Sequence, residues 1–381
     1  MEIRKEGKRK FLALVTTLAL ALATSKVVLA GNGTPINQGS ANVLTLAVYG
    51  DSPYGTTPTD NVEFYASPTF IDSINSDPKV DLVLHVGDIH SGKQYCTQAY
   101  DQAVFDLWKQ FKDPLVYTPG DNEWTDCHKS GEGGGVLDAK GNPVDYANGD
   151  PIANLDLIRS IFFSNPGVTL GGRKKQVISQ AQVFDPAHPS DAKYVENVIW
   201  EQSKVLFVTV NIPGGSNNDN DIWYGKSAQS AAQQQEIQER TDADLRWLDA
   251  AFAQAKADGV QAVLIATQAN MWDLDGKPSS HLTAYNPFVD KIAKKTQEFG
   301  KPVLLFNGDS HEYLSDNPLS LSDPLNYLHP GFDVPNFHRI VVHGSTFPLE
   351  WLKLTIDPQA NNATDQNAFG PFTWERVQPK I

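Results

Sequence analysis

Four apolar stretches of this chain end in the same way. "VLTLAVY" runs into Gly50-Asp51, "VDLVLHV" into Gly87-Asp88, "DPLVYT" into Gly120-Asp121 and "PVLLF" into Gly308-Asp309. Short apolar runs bounded by turn residues read as buried strands. One Gly-Asp after a strand is ordinary turn chemistry, and Gly149-Asp150, in a loop, is read as no more than that. Four such pairs behind four apolar strands are a stronger constraint. Ligand sites of open α/β sheets lie at the carboxyl ends of the strands. A fifth apolar run, "VQAVLIAT", leads into Gln268 and Asn270. Carboxylates crowded at one sheet edge repel one another unless a cation neutralises them. The pattern predicts a metal site.

Between these strands the spacing of apolar residues predicts helices. "TFIDSINS" reads as a short one, and "AYDQAVFDLWKQF" places Val104, Leu107, Trp108 and Phe111 on one face. "ANLDLIRSIFF", the long segment 228–257 and "NPFVDKIAKKTQEFG" complete the set, the last stopping at Gly300. "YVENVIWEQSKVLFVTVNI" reads as two antiparallel strands, and "FHRIVVHGS" and "LEWLKLTID" as two more. Alternating strands and helices with some antiparallel pairs imply one α/β domain with a mixed sheet or a pair of sheets. Glycine and lysine dominate 128–144, so a mobile surface loop is expected there. Residues 358–381 read as a C-terminal tail.

The first thirty residues differ from the rest. A basic head, "MEIRKEGKRK", precedes "FLALVTTLALALAT", and small residues stand at Val28 and Ala30. This reads as a secretory signal over 1–30, with a membrane anchor as the alternative. The expected location is periplasmic or extracellular. The thirty residues hold six Lys/Arg and two Glu, so their removal takes the net charge from −14 to −18. Such a surface repels nucleic acid and anionic lipid. Neither a polymeric nucleic-acid partner nor membrane attachment after cleavage is therefore expected. A phosphate ligand would need a local positive charge, which a metal would supply. The two cysteines, Cys96 and Cys127, are expected to be bridged in an exported chain.

The order Gly-Asp, Gly-Asp, Gly-Asp-Asn-Glu, a polar loop, then Gly-Asp-Ser-His resembles the calcineurin-like metallophosphoesterase superfamily, over residues 42–357. The resemblance implies two mixed sheets packed as a sandwich and flanked by helices. It also implies two metal ions at the strand ends and hydrolysis of a phosphate mono- or diester by a metal-activated water. Carried over, the metal ligands are Asp51, Asp88, Asp121, Gln268, Asp309 and His311. Asn122 stands where the family has a catalytic histidine, Glu123 matches its acidic residue, and His90 is a further candidate ligand or acid. Pro53 replaces the histidine of the first motif and Asp309 the first histidine of the last. A site so rich in oxygen favours Mn²⁺, Mg²⁺ or Ca²⁺, with iron and zinc left open.

His128 is a candidate substitute acid, and His85, within a strand, reads as a core residue. Trp124, Trp223 and Trp272 lie near the polar loops and are read either as walls for a flat leaving group or as caps on the core. Two other functions stay open. A protein with Pro53 and Asn122 in place of histidines could bind metal or phosphate without turnover. The run Gly50-Asp51-Ser52 also resembles the nucleophile block of GDSL-type serine esterases, whose Asp-x-x-His partner could only be Asp185–His188.

Overall fold

The computed structural model describes residues 34–35, 42–218 and 221–380. The expected export signal at 1–30 lies outside them. Among the described residues no helix is long and apolar enough to cross a membrane.

In the first half of the chain, β1 (Leu44–Tyr49), α1 (Val62–Asn75), β2 (Val80–His85), α2 (Gln98–Trp108) and β3 (Pro114–Tyr117) alternate. After α3 (Pro151–Phe162) come β4 (Leu170–Gly171), β5 (Ile178–Ser179), β6 (Val198–Gln202) and β7 (Val205–Thr209), and the two-residue Lys175–Gln176, between β4 and β5, pairs separately with Thr34–Pro35. The second half runs α4 (Ala231–Asp258), β8 (Ala262–Ala266), α5 (Asn286–Phe299), β9 (Val303–Asn307), β10 (Leu314–Asp316), β11 (Phe337–Val341) and β12 (Trp351–Ile356). The segment read as a tail is not one. It folds into β13 (Asn362–Asp365), β14 (Ala368–Gly370) and β15 (Phe372–Val377). Phe372 and Trp374 alternate with polar residues in β15, so one face of that strand is buried.

Two mixed sheets result. The first has strand order β13-β14-β15-β12-β1-β2-β3-β4, and β1, β2 and β3 run parallel within it. The second has order β10-β11-β9-β8-β7-β6-β5, with β7, β8, β9 and β11 parallel. Their inner faces meet in a core built from Leu46, Val48, Leu84, Phe207, Leu264, Leu304 and Phe306. The strands are buried on both sides, which is why their sequences are continuous apolar runs and do not alternate. Helices α1, α2 and α3 cover the outer face of the first sheet through Ile74, Trp108 and Ile158. Helices α4 and α5 cover the second through Leu248, Phe252, Phe288 and Ile292. Helix α5 ends at Gly300, which takes the left-handed φ of 68° that a glycine cap allows. The fifth Gly-Asp pair also has a structural use, because the Asp150 carboxylate accepts the Ala153 N–H at 2.8 Å and caps α3.

The glycine-rich stretch is tighter than its composition suggests. Gly133 and Gly135 sit at positive φ and close compact turns, and both His128 and Glu132 are buried. Its distal part, 137–143, is exposed throughout. Cys96 and Cys127 form a disulfide that closes a separation of 31 residues. In the chain-entropy account such a closure is worth roughly 3–4 kcal/mol. Both sulfurs lie against the Asn122 carbonyl, at 3.4 and 3.5 Å, so the bridge also anchors the loop after β3.

Candidate metal centre

The parallel strands of both sheets deliver their carboxyl ends to one edge. In the first sheet Tyr49 pairs with His85 and His85 with Tyr117, so the loops beginning at Gly50, Val86 and Thr118 emerge side by side. The Asp51 N–H donates to the Gly87 carbonyl at 2.9 Å and the Ser52 N–H to the Asp88 carbonyl at 3.1 Å. In the second sheet the Gly308 N–H donates to the Gln268 carbonyl at 3.0 Å. The sheets are joined at this edge, because the Asp309 N–H donates to Asp51 Oδ1 at 2.9 Å.

Four of the residues delivered here have left-handed backbones without being glycine: Asp51 at φ 48°, Asp88 at 60°, Asp309 at 76° and His311 at 63°. Each costs about 1–2 kcal/mol. The strands behind them offset this, since a fully buried Val or Leu contributes about 1.5–3 kcal/mol. The strain turns the carboxylates toward one another. Asp51, Asp88 and His311 each present a ligand atom, and the three atoms lie within 4.8 Å of one another. Asp121 and Asp309 flank Gly214. A Cβ on that glycine would lie 2.9 Å from the Asp121 carboxyl carbon and 2.9 Å from Asp309 Oδ1. A Cβ on Gly120 would collide with Asp88 Oδ1. Both positions therefore need glycine to leave room for the carboxylates.

Gln268 joins the two halves in a way the sequence did not predict. Its Nε2 donates to Asp88 Oδ2 at 3.1 Å and to Asp121 Oδ1 at 2.9 Å. Its Oε1 accepts the Gly214 N–H at 2.6 Å. The backbone donor fixes the amide, so Gln268 faces the carboxylates with its NH₂ group. It bonds to them in this orientation and does not offer them a ligand oxygen. On the outer side, Asn270 donates its N–H to Asp309 Oδ2 at 2.9 Å, and its own Oδ1 takes a 2.5 Å bond from the fully buried Arg339. Neither Arg339 nor Tyr54, described below, sits in a motif, so nothing in the sequence marks them.

The electrostatics follow from burial. Asp51, Asp88 and Asp121 are buried and lose solvation, which pushes their carboxyls well above the usual range, and repulsion between neighbouring carboxylates adds to it. Asp309 is pushed up to about 7, again by burial first. Burial and then His343 push His311 down to about 4, so its ring is neutral near pH 7 and has a lone pair to give. Asp51 Oδ2 is buried with no hydrogen-bond partner. Buried carboxylates with raised pKa values, an orphaned oxygen and a neutral imidazole form a donor set that fits hard divalent cations.

The two other expected catalytic residues are not among the three that share the ligand point, although the Glu123 charge reaches Asp88. Glu123 Oε1 accepts the Tyr117 hydroxyl at 2.5 Å and the Gly120 N–H at 2.7 Å, so it braces the loop from behind. His90 bonds the Ser91 carbonyl through Nδ1 at 3.2 Å, and its ring lies near Glu132 and the disulfide. Sequence adjacency to Asp88 and Asp121 gave no information on side-chain direction. His128 accepts the Tyr224 N–H at Nδ1, 3.1 Å away, and burial pushes its pKa down. Its Nε2 lies 3.8 Å from Asp221 Oδ1, and the ring does not line the cavity described next. His85 is a satisfied core residue, with Nε2 at 2.9 Å from the Ser52 carbonyl and Nδ1 accepting the Gly87 N–H.

The carboxylates open onto a cavity of about 580 Å³, lined by Asp121, Asp309, His311, Lys129, Asp221 and Tyr285 among others. Trp124, Trp223 and Trp272 are all buried and none lines it, so these rings cap the core. The serine-esterase reading finds no triad. Ser52 Oγ donates to Glu63 at 3.4 Å, and Asp185 and His188 are both exposed.

Comparison with known proteins decides the family. The calcineurin-like phosphoesterase profile matches residues 44–313. The chain belongs to the calcineurin-like phosphoesterase family. Among solved structures it is similar to a purple acid phosphatase from yellow lupin (Lupinus luteus) seeds, at 13% identity and TM-score 0.43. That match covers 90% of this chain and 52% of the lupin protein, so the chain spans about half of the lupin protein's length. A second is Nit3 of Saccharomyces cerevisiae, in branch 10 of the nitrilase superfamily, at 9% identity and TM-score 0.30, covering 90% and 93%. No curated protein matches significantly. For this calcineurin-like family member the match ends at residue 313, two residues past His311, and so spans every Gly-Asp strand end.

Proposed function

We propose that the chain is an exported metal-dependent phosphoesterase that hydrolyses a small phosphate mono- or diester. The observation that carries this reading is the convergence of Asp51, Asp88 and His311 with Asp121 and Asp309 beside one cavity. Asp51, Asp88 and His311 would hold one cation, and Asp88, Asp121 and Asp309 a second. Bound there, Mn²⁺, Mg²⁺ or Ca²⁺ would attract the phosphate group and activate water for attack on phosphorus.

The chain's own residues set the terms around that chemistry. Asp309 and its neighbours are tied across the two sheets by the Asp51 bond, which holds the carboxylates at fixed spacing. Lys129 lines the cavity as an ammonium clamped between Asp126 at 2.6 Å and Asp221 at 2.5 Å. Those two carboxylates use two of its three N–H donors, which leaves one for an anionic substrate. Apart from Lys277 the charged lining is otherwise acidic, so an anion is favoured only where a lysine or a cation faces it.

The purified protein is expected to hydrolyse p-nitrophenyl phosphate or bis-p-nitrophenyl phosphate with Mn²⁺ and to lose that activity in EDTA. Hydrolysis that persists after metal removal would contradict the reading. The second reading, a binding protein without turnover, is favoured by Asn122, whose amide donates to Tyr54 and cannot supply a proton to a leaving group. Absence of hydrolysis of both esters by protein shown to hold metal would select it.

A further inference from the structure

We propose that Asn122 and Tyr54 form a positioning relay that aims the Asp88 carboxylate and the His311 ring. The proposal rests on the metal-centre reading given above. It assigns a role to Asn122 that its place in the motif does not suggest.

The Tyr54 hydroxyl lies 2.7 Å from Asp88 Oδ2, and Asn122 Nδ2 lies 2.8 Å from the same hydroxyl. An amide NH₂ only donates, so the phenol oxygen is the acceptor of the Asn122 bond. With Asp88 ionised, as a cation ligand must be, its carboxylate only accepts, so the single phenol proton points at Asp88. The chain of donors therefore has one direction, from Asn122 through Tyr54 to Asp88. Tyr54 is buried. The Asn122 backbone N–H also meets Asp88 Oδ1, at 3.3 Å. Both Asp88 oxygens are thus oriented by this pair of residues. The Tyr54 ring meets the His311 ring edge to face, with centroids 5.2 Å apart. One side chain therefore positions two of the three groups that share a ligand point.

Tyr54 follows Pro53, and Asn122 follows Asp121; Pro53 and Asn122 are two of the places where the family's histidines are missing. The relay couples these two departures. Groups that orient metal ligands from behind typically change cation affinity by about 10–100-fold when removed.

The test is calorimetric titration of Mn²⁺ into full-length wild type, Tyr54→Phe, Asn122→Ala and the double variant, with melting curves to show that each is folded. Tyr54→Phe is expected to weaken Mn²⁺ binding by about 10–100-fold. Asn122→Ala is expected to weaken it in wild type and to have no further effect in the Tyr54→Phe background. That non-additivity is what a merely structural role would not produce. Wild-type affinity in Tyr54→Phe, or an Asn122→Ala effect of equal size in both backgrounds, overturns the relay and leaves the metal centre standing. Should Tyr54→Phe fail to fold, wild-type affinity in Asn122→Ala alone overturns it. A wild type that binds no Mn²⁺ overturns both.

Discussion

Asp51→Asn is expected to lower kcat/KM by about 10²–10³-fold or more and, at pH 8 without metal, to raise the melting temperature. The two effects have one cause. Asp51 Oδ1 accepts the Asp309 N–H, and an asparagine oxygen keeps that bond. The other oxygen, Oδ2, is buried without a partner, so the asparagine NH₂ breaks no hydrogen bond there. What changes is the charge. One carboxylate leaves a buried group in which Asp88 and Asp309 repel it. The metal-free fold gains from that relief, while the cation loses a ligand and the reaction loses its electrostatics. Activity assays with Mn²⁺ and melts in EDTA check both halves. Near-normal activity, or a lower metal-free melting temperature, would contradict the assignment of Asp51 as a ligand whose charge is needed only when a cation is present.

The second large effect is on stability against pH. Free carboxyls titrate near pH 4 in the unfolded chain. In the folded, metal-free protein Asp309 titrates at about 7, and Asp51, Asp88 and Asp121 are also raised, by burial first. The folded state thus holds protons that the unfolded chain has released. This contribution to stability is complete below the unfolded value, at about pH 4, and is lost as pH rises through the folded values, past about 7. A divalent cation replaces those protons and reverses the trend. The melting temperature in EDTA is expected to fall between pH 5 and pH 8, and Mn²⁺ to raise it more at pH 8 than at pH 5. At a hundredfold excess over Kd the gain is about 2.7 kcal/mol. Equal gains at the two pH values, or no gain at either, would contradict a cation held by these carboxylates.

The fold was legible where burial dictates sequence. Strands buried on both sides must be continuous apolar runs, so β1, β2, β8 and β9 stand out. The edge hairpin at 362–377 did not, because β13 is polar and largely exposed and only Phe372 and Trp374 mark the buried face of β15. The convergence of Asp51, Asp88, Asp121 and Asp309 was legible because each follows a parallel strand by two to four residues. Residues reached through side-chain direction were not. His90 lies two residues past Asp88 yet turns away from it, and Glu123, two past Asp121, is taken up by the Tyr117 hydroxyl and the Gly120 N–H. Tyr54 lies three residues past Asp51 and turns toward Asp88. Gln268 occupies the expected place, but the Gly214 N–H decides which end of its amide faces the site.

The most direct test of the metal centre is anomalous diffraction at the manganese edge from crystals grown with Mn²⁺. The account predicts strong peaks ligated by Asp51, Asp88 and His311 on one side and by Asp88, Asp121 and Asp309 on the other. Manganese bound only elsewhere, with Asp51 and Asp88 free of any cation, would contradict it.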